Sequence, residues 1–345
     1  MTLSGREVRV MRYPDGGVAA DDFEVVEVPV PAPGPGQVLV RNTWTSVDPG
    51  LRLRLKETGP AGYFAAFPLD AAMDGIMTVG EVIASRADGF AEGDTVWHAA
   101  GWRDYAVVEA GKPALSGLGT LARVDTDAAD PQSYLGPLGG MGLTAWAGLF
   151  EAAALREGDV VWVAAAAGAV GSLAAQFAKL SGHRVIGSAG SDEKVAYLLD
   201  ELGLDAAFNY KTGAVADLLR DAAPHGIDVY FDTVGGDHLE AALGALHRFG
   251  RVALCGAISQ YEAVGPAQGP SNLFQATAND LTLRGFRGSS NMHLMEDMQR
   301  QVAAWLREGR LRYRETVVEG LERAPEALVR VLSGDAVGKT LVHIA

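Results

Sequence analysis

The sequence predicts an α/β fold in two parts, an all-β unit followed by a doubly wound parallel sheet. Three observations predict it. The first third of the chain is a series of short, Val-rich runs broken by Gly and Pro. From about Asp159, apolar runs alternate instead with segments of helical spacing. The length of 345 residues suits roughly two domains of 100–200 residues better than one.

In the first part, segments 25–30, 37–42, 77–84, 95–98 and 105–109 read as strands. Punctuation such as Pro31-Ala32-Pro33-Gly34-Pro35-Gly36 and Phe90-Ala91-Glu92-Gly93-Asp94 separates them, and the pattern suggests a barrel or a sandwich. In the second part, 160–166 is a continuous apolar strand, 168–180 a helix, 184–188 a strand, 192–201 a helix and 206–209 a short strand. Segments 214–222, 227–232, 238–247, 251–255 and 281–286 continue the alternation. Apolar strands without polar alternation are buried on both faces, and helices between them make a Rossmann-type parallel sheet. Beyond about Met292, an amphipathic helix over 298–306 precedes strand-like 315–318 and 339–343, which are expected to rejoin the first part.

Composition narrows the function classes. A formal net charge of −14 argues against nucleic acid or an anionic membrane as an electrostatic partner. The single cysteine, Cys255, allows no internal disulfide. The first ten residues hold no apolar signal core, and no run approaches the roughly 18 apolar residues of a membrane span, so the expected location is the cytoplasm. One cysteine cannot supply the thiolates of a dehydrogenase zinc site, and the seven histidines show no metal-binding spacing. No Gly-x-Ser-x-Gly elbow is present to support a hydrolase.

The strand 160–166 runs into Ala166-Ala167-Gly168-Ala169-Val170-Gly171-Ser172 and then a helix. This G/A-x-G-x-x-G turn, set between strand and helix, is a dinucleotide fingerprint. Gly168 would let the backbone approach a pyrophosphate, and Gly171 would let the helix pack on the strand. At the end of the second strand the chain reads Ser188-Ala189-Gly190-Ser191-Asp192-Glu193-Lys194, without a carboxylate at the strand end to hold a ribose 2′-OH. Lys194 could pair a 2′-phosphate with Ser191 as a neutral donor, which favours NADPH over NADH.

Across these and further segments the chain resembles the zinc-independent medium-chain dehydrogenase/reductase family, in the branch of prostaglandin reductase, alkenal double-bond reductase and curcumin reductase. The carrying residues are Ala164 to Ser172, Ala189 to Val195, Phe208-Asn209-Tyr210-Lys211, Tyr230-Phe231-Asp232, Val234-Gly235-Gly236 and Cys255 to Tyr261. Ser271-Asn272-Leu273-Phe274, Leu283-Arg284-Gly285-Phe286, Val47-Asp48-Pro49 and Gly338-Lys339 add to them. The resemblance implies a GroES-like β-barrel domain over 1–134, a Rossmann NADPH-binding domain over 135–305, and a segment 306–345 returning to the first. It implies NADPH-driven reduction of a carbon–carbon double bond conjugated to a carbonyl, with Tyr261 as the catalytic hydrogen-bond donor. It places Gly190, Ser191, Lys194 and Tyr210 around the 2′-phosphate. Along the cofactor it places Thr144, Gly168, Ala169, Val170, Gly171, Thr233, Cys255, Gly256, Ala257, Ile258, Phe286 and Gly288.

Departures from the family pattern cluster on the nicotinamide and substrate side. Gly50 follows Val-Asp-Pro where relatives carry tyrosine, Gly140 replaces a frequent methionine, and Thr233 an asparagine. Arg287 and Gly288 replace apolar residues, and Ala336 stands where asparagine is common. Gly50, Tyr63 and Arg287 are therefore candidate substrate-pocket residues, with Arg287 either a carboxylate anchor or a solvated ion-pair residue. Trp97, Trp102 and Trp146 are weighed as pocket walls against core. Alternative activities are a quinone reductase, a reductase of an acidic or polyketide-like intermediate, or an NADPH sensor without turnover. The expected partners are a small-molecule substrate and a second copy of the chain, paired through an edge strand over 281–288.

Overall fold

The computed structural model describes residues 3–113, 119–262 and 269–344. They form two compact units, Met1–Gly136 with Glu315–Ala345, and Pro137–Arg314. The first unit opens with a hairpin of β1 (Ser4–Val10) and β2 (Phe23–Pro29), paired antiparallel. Then come β3 (Gln37–Val47), β4 (Thr78–Ser85), β5 (Thr95–His98), β6 (Tyr105–Glu109) and the short β7 (Ala122–Arg123). β3 is the organising strand. One edge pairs β4 along its length, with two register shifts that let the sheet curve. The other edge takes β6 against Gln37–Arg41. Val38, Val40, Val82 and Val96 alternate inward and form a small core between these strands.

The second unit begins with α1 (Gly140–Trp146), which continues into a π-helical stretch, Ala147–Ala152. The alternation follows as β8 (Val160–Val163), α2 (Ala169–Leu180), β9 (Arg184–Ala189), α3 (Asp192–Ala196), β10 (Ala206–Asn209), α4 (Val215–Ala222), β11 (Ile227–Asp232), α5 (Gly236–Ala245), β12 (Leu246–Leu254), α6 (Phe274–Ala278), β13 (Thr282–Gly285) and α7 (Met295–Arg307). The strands form one parallel sheet in the order β10-β9-β8-β11-β12-β13. The strand order reverses between β8 and β11, and ligands of doubly wound sheets bind beyond the carboxyl ends of strands at such a switch point. Among the described residues no helix is long and apolar enough to cross a membrane.

The chain then adds β14 (Glu315–Glu319), α8 (Ala324–Leu332) and β15 (Lys339–His343) to the first unit. β15 pairs antiparallel with Trp44–Val47, the half of the β3 edge that β6 leaves open, and β14 pairs with β15. α8 covers a core of Val8, Leu55, Phe67, Trp102 and Leu328. A buried ion pair ties the return to this core. Lys339 Nζ lies 2.8 Å from Asp48 Oδ1 and donates to the Val47 carbonyl at 3.0 Å. Two segments that carried the family resemblance without an evident role, Val47-Asp48-Pro49 and Gly338-Lys339, are thus the two halves of one contact.

Several boundaries differ from the sequence reading. β8 stops at Val163, and 164–167 form a turn in which Ala165 takes φ +45°. The turn stays anchored because Ala164 N–H donates to Phe231 O and Ala166 N–H to Ser188 O. β12 begins at Leu246, inside the segment read as helix. There His247 turns to bond the Asp228 carboxylate at 2.8 Å and the backbone shifts register near Ile227. α1 was unread because Gly140 and Gly142 depress helix propensity. The glycine serves packing, since a Cβ on Gly142 would meet the Pro137 carbonyl oxygen at 1.9 Å.

Candidate functional site

The site is built at the carboxyl ends of β8, β9, β10, β11 and β12, all within the second unit. α2 starts at Gly168 with no side-chain cap, so its first N–H groups remain available to an anionic ligand, with the helix dipole behind them. Gly171 is dictated by packing. A Cβ there would lie 2.3 Å from the Ala165 carbonyl oxygen and 3.0 Å from Ala166 Cα. Ala169 and Val170 complete the first turn and are partly exposed.

At the end of β9 the recognition position falls on Ala189 and Gly190. Ser188, expected there from the sequence, is instead fully buried in the strand, with no hydrogen-bond partner for its hydroxyl. The strand therefore extends one residue further than read, and small residues replace the carboxylate that would repel a 2′-phosphate. Ser191 caps α3, its Oγ accepting from the Lys194 N–H at 3.3 Å, which sets Lys194 in the first helical turn. Asp192 is held by the Asn209 amide at 2.7 Å. Tyr210 reaches the same loop: a Cβ on Gly190 would stand 3.1 Å from its hydroxyl and 3.3 Å from its ring. Gly190, Ser191, Lys194 and Tyr210 are thus brought together from two strand ends.

A second group of loops surrounds β11 and β12. Asp232, 1% exposed, accepts from Tyr230 Oη, Val234 N–H and Gly235 N–H at 2.8–2.9 Å. Burial nonetheless raises its carboxyl above the ordinary range. Its carbonyl also accepts from the N–H groups of Cys255 and Gly256. Gly235, at φ +71°, makes the turn that aims both amides at the carboxylate. Thr233 Oγ1 donates to the Ala164 carbonyl at 3.1 Å, and Ile258 N–H donates to the Thr233 carbonyl. Ala257 packs near Gly235. Burial, with the nearby Asp232 carboxylate, pushes the Cys255 thiol up to about 12, which favours the protonated thiol. Tyr261 folds back over this loop, and a Cβ on Gly256 would lie 2.9 Å from its hydroxyl.

The remaining candidates separate. Thr144 and Gly288 meet, for a Cβ on Gly288 would come within 2.4 Å of Thr144 Oγ1, which itself donates to the Gly140 carbonyl. Phe286 packs edge-on against Phe231, 6.1 Å between centroids, beside Gly148. Arg287 is exposed. Gly50 and Tyr63 lie in the first unit and face each other, with the Tyr63 hydroxyl 3.7 Å from where a Gly50 side chain would begin. Trp102 is buried core and bonds the Ser46 carbonyl, and Trp146 packs with Phe150, Phe177 and Trp305. Sequence reasoning missed Asp232 and Asn209 as loop organisers. A buried Asp before Val-Gly-Gly was the available signal for the first.

These residues fit NADPH. An uncapped helix start would take the pyrophosphate, and a carboxylate-free strand end with Ser191, Lys194 and Tyr210 would take the 2′-phosphate. Among the described residues no group of three or more His, Cys, Asp or Glu could hold a metal ion.

Comparison with known proteins agrees along the whole chain. Residues 6–115 match the model of the N-terminal domain of oxidoreductases, and 169–307 the model described as zinc-binding dehydrogenase. The chain is 35% identical to the NADP(+)-dependent 2-alkenal reductase of Nicotiana tabacum, over 99% of this chain and 98% of that protein. It is 37% identical to prostaglandin reductase 1 of Rattus norvegicus, over 96% of each. The solved structure of CurA from Vibrio vulnificus in complex with NADPH superposes with a TM-score of 0.90 at 34% identity, covering 99% of both chains.

Proposed function

The chain belongs to the zinc-independent medium-chain dehydrogenase/reductase family, and we propose that it reduces the carbon–carbon double bond of an α,β-unsaturated carbonyl with NADPH. The observation that carries the reading is full-length similarity to an alkenal reductase, together with a strand end that lacks a carboxylate. When bound, NADPH would supply the hydride for the β-carbon, and a proton from solvent would complete the α-carbon, so that the enolate ends as a saturated carbonyl. The second unit is assigned to the cofactor and the first to substrate recognition.

Each assigned residue has a physical task. The N–H groups at the start of α2 hold the pyrophosphate. Lys194, Ser191 and Tyr210 hold the 2′-phosphate, by one charge-assisted contact and neutral donors. Thr144, Thr233, the segment 255–258, Phe286 and Gly288 line the remainder of the cofactor. Tyr261 donates a hydrogen bond to the carbonyl oxygen as enolate charge develops there, and a donor fixed ahead of the reaction lowers the barrier to that charge. Gly50 and Tyr63, which face each other in the first unit, contribute to substrate selection.

The test is loss of reduced-nicotinamide absorbance with NADPH or NADH and a panel of a simple alkenal, a phenyl-substituted enone, a carboxylated enone and a quinone. NADPH-selective consumption with a saturated carbonyl product is expected. Turnover with the quinone alone would replace this reading with a quinone reductase.

A further inference from the structure

His238 sits on α5, outside every residue assigned above. It is 5% exposed, and its Nε2 has no hydrogen-bond partner. Burying a polar atom in this way costs stability, and a purely apolar side chain would fill the space without that cost. Its neighbours show what the ring does. One face stacks on Trp162, 5.8 Å between centroids at 18°. Trp162 is itself fixed by Tyr230 at 4.4 Å and Phe208 at 5.9 Å. The imidazole meets Tyr210 in a T-shaped contact, 5.0 Å at 75°. On another side Tyr210 rests on Gly190, where a Cβ would press on its hydroxyl and ring at 3.1–3.3 Å. Tyr210 is therefore clamped between His238 and the Gly190 backbone, and the clamp stands on Trp162, which stacks on Tyr230 with Phe208 tilted against it.

Charge does not explain the position. Burial lowers His238 to about 4 against the opposing pull of Asp237, so the ring is neutral under ordinary conditions and cannot attract a phosphate as a cation. Its contribution is geometric. We propose that His238 is a positioning residue for the 2′-phosphate end of the cofactor, acting through Tyr210 by holding the phenol against Gly190 next to Ser191 and Lys194. This inference rests on the NADPH reading above.

The experiment compares wild type, His238→Ala and His238→Phe by fluorescence titration with NADPH, with NADH and with adenosine 2′,5′-bisphosphate, which lacks the nicotinamide. His238→Ala should weaken NADPH and the bisphosphate by about three- to tenfold, the worth of an aromatic contact, while NADH changes less than about twofold. In steady-state assays the loss should fall on KM for NADPH rather than kcat. His238→Phe keeps a ring in the clamp and should recover most of the affinity. Equal losses for NADPH and NADH, or unchanged affinity with only a lower melting temperature, would overturn the inference. If His238→Ala does not fold, His238→Phe with wild-type NADPH preference and His238→Leu without it supports the clamp, and identical preference in both overturns it. A wild-type protein with no preference for NADPH over NADH would instead remove the underlying cofactor reading.

Discussion

At the residue scale, Lys194 is assigned the choice of cofactor and Tyr261 the reaction. Lys194 is set in the first turn of α3 by the Ser191 cap, and Asp192, two residues before it, is engaged by Asn209. Lys194→Ala should therefore weaken NADPH by about 1–3 kcal/mol and NADH far less, as measured by equilibrium titration. Equal losses would remove the phosphate assignment. Tyr261→Phe removes a hydroxyl that lies over Gly256, and it should lower kcat with little effect on NADPH affinity. Unchanged turnover would exclude Tyr261 from the reaction. Most of these residues were legible because glycine spacing and the absence of a carboxylate are local signals. His238 was not, since its role depends on rings that approach through the sheet and a buried imidazole looks like any other histidine in sequence, whereas Asp232 bonds Tyr230, Val234 and Gly235 close by in the chain and its signal was local.

At the element scale, the return of β15 onto β3 depends on an ion pair with little exposure, 4% for the Lys339 side chain and 19% for Asp48. Lys339→Met would leave the Asp48 carboxylate without its cation and the Val47 carbonyl without a donor. It should cost about 3 kcal/mol in urea unfolding, and a loss below about 1 kcal/mol would show that strand pairing alone holds the return. Stability should also fall on mild acidification. His98 is fully enclosed, its ring bonded to Asn42 Oδ1 and accepting from Ala100 N–H, and burial with help from Arg103 lowers it to about 3. With His238 at about 4, both native rings refuse protons that the unfolded chain accepts below its ordinary value of 6.5. Stability therefore declines as pH falls from 6.5 towards 4. His247 acts with the opposite sign, raised by its hydrogen bond to Asp228 and by the His225 carbonyl. Its support is complete below the unfolded pKa and lost as pH rises through the folded one. Being half exposed, it is screened, and the buried rings decide the slope. Urea midpoints across this range should decline with acidity, less so in a His98→Gln, His238→Phe double variant. An equal slope would contradict the assignment. The parallel strands were legible as unbroken apolar runs, whereas α1 was hidden by glycines that close packing requires; α8 did carry a signal, with Pro325 in its first turn, Glu326 early and Arg330 late, that went unused.

At the scale of the whole molecule, the six-stranded sheet ends on β13, whose Thr282, Arg284 and Gly285 are exposed. Leu273 and Phe274, just before it, are 54% and 77% exposed, an unusual load of apolar surface beside an open strand edge. The proposed occupant is a second copy of the chain, pairing β13 edge to edge. Light scattering at micromolar concentration should give the mass of a dimer, and Phe274→Glu should shift it to monomer. A monomeric wild type would contradict the pairing. The division into an all-β part and a parallel sheet was legible because their hydrophobic periods differ. The choice of substrate was not, because the altered positions Gly50, Gly140, Thr233, Arg287 and Ala336 are scattered in sequence and their effect depends on what faces them. Gly50 illustrates this: only the fold shows the Tyr63 hydroxyl standing beside it.

The central claim is hydride transfer to the β-carbon of an activated alkene, and isotope placement tests it most directly. A phenyl-substituted enone should be turned over with NADPH deuterated at nicotinamide C4 on each face in turn, and the product read by mass spectrometry and NMR. A saturated ketone carrying one deuterium on the β-carbon is expected with one of the two labelled cofactors. Deuterium on the carbonyl carbon, in an unsaturated alcohol, would contradict it.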